Sequence, residues 1–120
     1  MPARPKADDA ATWTALADTL VASEKGVRHG KMMSSDAVTF AGRVFAFYTG
    51  KGRFHGLGLR LGRAFDVDAL GLKAWQHLAP FKSKPPMKDW ILVGADERER
   101  WPELARLALA AMRAEVRGAR

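Results

Sequence analysis

The side chains with chemical potential in this sequence are few and scattered. His29, His55 and His77 stand 26 and 22 residues apart, and no local metal-binding pattern has that spacing. Gly56-Leu57-Gly58-Leu59-Arg60-Leu61-Gly62 has the outline of a dinucleotide loop. Its third glycine comes one place late, and the run lies in or at the end of a strand pattern where a strand-to-helix turn is needed. Gly50-Lys51-Gly52 lacks the rest of a phosphate loop, and Ser34-Ser35 lacks the glycine pair of a nucleophile elbow. Asp66 and Asp68 suit the start of a short helix better than an acid pair. With no cysteine in 120 residues, thiolate metal sites, disulfides and thiol nucleophiles are excluded. The sequence points to no catalytic group, no metal and no cofactor.

Charge is the stronger signal. Lys and Arg number 20 against 13 Asp and Glu, a net +7. Residues 1–30 balance Arg4, Lys6, Lys25 and Arg28 against Asp8, Asp9, Asp18 and Glu24. Residues 31–93 set ten cations against Asp36, Asp66, Asp68 and Asp89, and residues 94–120 set six arginines against five acids. The excess therefore lies in the middle of the chain. Lys51 and Arg53 flank one turn, Arg60 and Arg63 end a strand pattern, and Lys82, Lys84 and Lys88 cluster around a proline-rich stretch. If these segments meet, they form a basic edge able to attract nucleic acid or another polyanion. Trp75, Phe81 and Trp90 lie near the lysines. Aromatics interleaved with cations can stack bases, but a chain of this size has few large anchors, and a core role is expected for them.

The elements that must position these residues follow from periodicity. Residues 1–7, with Pro2 and Pro5, read as a flexible arm, and a helix is expected to start at Asp8 or Asp9, where a carboxylate caps free N–H groups. Trp13, Leu16, Ala17, Leu20 and Val21 then share a helical face, and Gly26 suits the stop. From Ser35 the period shortens. Ala37 to Phe40, Val44 to Tyr48 and His55 to Leu61 read as strands of an antiparallel meander, with turns at Ala41-Gly42 and Thr49 to Gly52. Phe65 to Leu72 suggests a short helix, Trp75 to Pro86 a long loop, and Met87 to Val93 a fourth strand. Trp101, Leu104, Ala105, Ala108, Met112 and Val116 mark a C-terminal amphipathic helix, with Pro102 in its first turn. The expected fold is α+β: one antiparallel sheet of about four strands, flanked by N- and C-terminal helices, in a single domain over residues 8–118. The apolar runs are too short to span a membrane, no signal-peptide h-region follows the N-terminus, and a cytoplasmic location fits.

Several of these residues also form an ordered pattern. Lys31-Met32-Met33, the strand after it, Ala41-Gly42-Arg43-Val44-Phe45-Ala46, a glycine turn, Phe81, then Met87-Lys88-Asp89-Trp90 and Trp101 follow one another as in the TfoX N-terminal-domain-like family, which is related to the YjbR-like proteins. The resemblance covers residues 12–116. It implies a small α+β domain and a regulatory role, since the family is named for a bacterial competence regulator. It implies no catalytic residue.

The leading expectation is a non-enzymatic regulatory or interaction module acting through a protein partner or nucleic acid. Its polyanion-binding candidates are Lys51, Arg53, Arg60, Arg63, Lys82, Lys84 and Lys88. The alternatives are a small-ligand-binding domain, with its cleft between sheet and proline loop, and an enzyme of unassigned reaction.

Overall fold

A computed structural model describes residues 6–32, 35–50, 56–62, 65–78 and 87–118. Helix α1 spans Lys6–Ser23, and helix α2 spans Trp101–Gly118. Between them lie β1 (Val27–Met32), β2 (Ser35–Phe40), β3 (Arg43–Thr49), β4 (Gly56–Arg60), β5 (Trp75–Leu78) and β6 (Met87–Gly94). They form one sheet in the order β1-β2-β3-β4-β6-β5, and every neighbouring pair is antiparallel. The α+β class and the antiparallel sheet agree with the sequence reading. The strand number does not: there are six, where about four were expected.

The two extra strands are the two edges. β1 buries only Val27 among its six residues, so its apolar pattern is too thin to read. β5 is four residues long and lies where the sequence suggested loop. The short helix expected over Phe65 to Leu72 is a 3-10 turn at Val67–Leu70, and a second 3-10 turn, Ala95–Arg100, runs straight into α2. α1 starts at Lys6, ahead of the expected arm boundary. Asp9 is thus inside the helix, not a cap.

Both helices cover the same face of the sheet. Trp13, Leu16, Ala17 and Leu20 from α1 meet Trp101, Leu104, Ala105, Ala108, Leu109 and Met112 from α2 over Val38, Phe45, Leu57, Leu59, Ile91 and Val93. Trp101 is fully buried, and its indole Nε1 donates to the Gly94 carbonyl at 3.3 Å. On the opposite face Ala37, Phe47, Trp90 and Leu92 form a second, smaller cluster. A β-bulge divides the two sets. Val38 pairs with Ala46 but Thr39 pairs with Val44, which leaves Phe45 as the extra residue. Phe45 and Ala46 both join the helix-side core, while Val44 and Phe47 serve the other cluster. At the β2–β3 turn, Ala41 and Gly42 have φ of 54° and 77°, the left-handed pair that a two-residue hairpin loop needs.

Candidate functional site

The basic candidates attach to two ends of the sheet. β4 ends at Arg60, which pairs with Trp90 near the start of β6, and Leu78 of β5 pairs with Met87. Arg60 and the backbone of Lys88 therefore share one end. Arg63 follows Gly62, whose N–H bonds the Asp89 carbonyl at that same end. The chain that carries Lys82 and Lys84 leaves from Leu78 and returns at Met87, also at that end. The chain that carries Lys51 and Arg53 leaves β3 at Thr49 and enters β4 at Gly56, at the opposite end beside Gly94. Lys51, Arg53, Arg63, Lys82 and Lys84 themselves, like His55 and Phe81, lie outside the described residues, and of Lys88 only the backbone is described.

Arg60 is already engaged. Its guanidinium holds Glu115 of α2 with both terminal nitrogens and lies 3.7 Å from Asp89. Arg43 joins the same carboxylate at 3.3 Å. The hydrogen bond from Arg60 is the main cause that holds the Glu115 carboxyl below its usual range, against a smaller opposing effect of desolvation. The same bond raises the Arg60 pKa further. Arg60 thus ties α2 to the sheet, and its charge is largely spent there.

Of the 20 Lys and Arg, seven lie outside the described residues: Arg4, Lys51, Arg53, Arg63, Lys82, Lys84 and Arg120. None of the 13 Asp and Glu does.

The remaining reactive types have structural surroundings. His29 Nε2 lies 3.2 Å from Asp18, with both side chains more than half exposed. His77 Nδ1 lies 3.3 Å from the Trp90 carbonyl, and its ring meets the edge of Trp75. Asp66 and Asp68 open the first 3-10 turn, as their spacing suggested. Gly56 and Gly58 are strand residues, not loop residues. Trp90 is buried, and Trp75 packs against the main core. Among the described residues, no three His, Asp or Glu side chains are grouped to hold a metal ion, and no helix is long and apolar enough to cross a membrane.

Sequence reasoning missed a buried ion pair. Arg98, in the second 3-10 turn, bonds Asp9 of α1, and both side chains are 6% exposed. Beside them Trp13 stacks on Tyr48, and Tyr48 tilts against Trp101. Partial burial, aided by the Asp9 charge, raises the Tyr48 pKa. The partners are 89 positions apart, so no local spacing signals them. The arrangement locks the N-terminal helix to the turn before α2. Removing either partner of a pair buried in this way leaves an uncompensated charge in the core.

Comparison with known protein families, curated proteins and solved structures finds no match to this chain.

Proposed function

We propose that this chain is a non-enzymatic cytoplasmic interaction module that engages a polyanion, with nucleic acid as the leading partner, in a regulatory role. The observation that carries this reading is the charge partition. Residues 31–93 carry ten Lys and Arg against four Asp, while residues 1–30 are balanced and residues 94–120 exceed balance by one arginine. A local excess of cations attracts phosphate by releasing the counterions condensed on it. The end of the sheet to which Arg63, Lys82, Lys84 and Lys88 attach is the proposed contact surface. Arg60 has a structural part there, through Glu115. The likeness of Lys31-Met32-Met33, Met87-Lys88-Asp89-Trp90 and Trp101 to the TfoX N-terminal-domain-like pattern supports a regulatory role over a catalytic one.

The test is salt-dependent binding to duplex DNA. With about four phosphates contacted, log affinity falls against log salt with a slope near −3.6, so a fourfold rise in salt weakens binding by about two orders of magnitude. Replacing Lys82, Lys84 and Lys88 together removes about 0.9 from that slope per cation lost, and the fold survives. Replacing Lys51 and Arg53, which attach to the other end, leaves the slope unchanged. If there is no salt-sensitive binding at low ionic strength, or if the triple replacement leaves the slope intact, the cations are solubilising only.

A further inference from the structure

β1 is an edge of the sheet, and among the described residues no strand pairs with its outer side. In an antiparallel pair, residues alternate between those bonded across to the partner strand and those whose N–H and C=O point away from it. The Val27 N–H bonds the Glu24 carbonyl at 3.2 Å, not β2. Val27 is therefore in the outward set, and its alternates His29 and Lys31 are too. Among the described residues, no backbone group bonds the outward N–H and C=O of His29 and Lys31. Such a row is a template for another strand.

The side chains around it indicate which strand. β1 contains no acid. Arg28 is exposed, pairs across with Thr39 on the face away from the helices, and has no ion pair among the described residues. On the helix side, His29 and Lys31 already lie against Asp18 and Asp36. Beside them a cleft of about 280 Å³ opens between α1 and the β1–β2 hairpin, with Trp13, Thr14, Ala17 and the two paired acids Asp18 and Asp36 in its wall, so acidic side chains are excluded from this face. A second copy of β1 is a poor occupant. In antiparallel self-pairing only members of the outward set bond across, so Lys31 meets its own copy, His29 or Val27, and Arg28 finds no acid on the added strand.

We propose that β1 accepts an extended acidic segment of a partner protein as an added strand. Its acidic side chains would lie on the Arg28 face, and its alternate, small apolar side chains would lie over the cleft of Trp13 and Ala17. Backbone bonds to His29 and Lys31 supply the affinity, and the two faces supply the selectivity. None of these residues belongs to the polyanion set, so the two proposals stand or fall separately.

The experiment titrates the isotopically labelled full chain with a short capped peptide that alternates valine and glutamate. In parallel it uses the same peptide methylated on the backbone nitrogens that would pair. The unmodified peptide binds saturably and slows hydrogen exchange at the His29 and Lys31 amides by about tenfold or more. Methylation weakens binding by about tenfold or more, because the strand bonds are lost while the charge is kept. Arg28→Glu, at an exposed position, weakens binding without altering the exchange of core amides. Equal binding of the methylated peptide overturns the proposal in favour of plain charge attraction. Protection that appears at β5 instead, or no saturable binding, also overturns it. So does protection of the same two amides that grows with protein concentration when no peptide is present, which would make a second copy the occupant.

Discussion

Asp9, Arg98 and Tyr48 bring charge, burial and aromatic stacking together in the core. Tyr48 is the only tyrosine in the chain, so an absorbance titration reads its phenol without interference. Partial burial and the Asp9 carboxylate both favour the neutral phenol. The midpoint is therefore expected above the ordinary tyrosine value and is expected to fall to it on unfolding. A folded-state pKa above the unfolded one has a definite sign for stability. The contribution is complete below the unfolded phenol pKa and is lost as pH rises through the folded one. Tyr48→Phe removes this alkaline loss, as followed by denaturant midpoints across the alkaline range. A phenol that titrates at its ordinary value in the folded chain would contradict the account.

At the scale of elements, β4 depends on a side chain that it lacks. A Cβ on Gly58 would run into the ring of Phe47, which lies across the strand and meets Trp90 at a centroid distance of 5.5 Å. Gly58→Ala is expected to cost about 1–3 kcal/mol as an overpacking defect, measured by urea denaturation. Gly58→Ala combined with Phe47→Leu recovers part of that cost, because the smaller side chain vacates the space. A double variant no better than the single one would show that the backbone, not the ring, sets the requirement. The same strand shows how far the sequence could be read. Leu57, Leu59 and Leu61 alternate with small or charged residues, so their common burial against the helices was legible. So was α2, where Trp101, Leu104, Ala108 and Met112 are all buried. β1 and β5 were not legible, because an edge strand needs little apolar surface and its pairing depends on a partner distant in sequence. The bulge at Phe45 breaks strict alternation inside β3, and only pairing with β2 reveals it. As for the candidate site, the central location of the excess charge was legible. The capture of Arg60 by Glu115, 55 positions away, was not.

For the molecule as a whole, ion pairs that join distant elements set how the fold responds to acid. Glu115 on α2 holds Arg60 and Arg43 from two different strands. Its carboxyl pKa is lowered, first by the Arg60 hydrogen bond. A depressed folded-state value contributes stability above the unfolded carboxylate pKa, and that contribution is lost as pH falls through the folded one. Glu115→Gln is therefore expected to make the chain less stable at neutral pH and to flatten the acid limb of its stability curve, with little change at the most acidic pH. Glu115 is more than a third exposed, so salt screens part of the effect. An acid limb unchanged by Glu115→Gln would place the pH sensitivity elsewhere.

The insertion of β6 between β4 and β5 has a consequence for a chain made from one end to the other. The ribosome delivers β5 before the strand it must pair with, and delivers the meander of β1 to β4 before the helix that covers it. Until Trp101–Gly118 has emerged, Val38, Phe45, Leu57 and Leu59 have only α1 to shelter them, and Asp9 still awaits Arg98. The order of birth runs against the order of need. A nascent chain stalled short of α2 presents a half-covered apolar sheet to its surroundings, and the emergence of Trp101–Gly118 completes the cover.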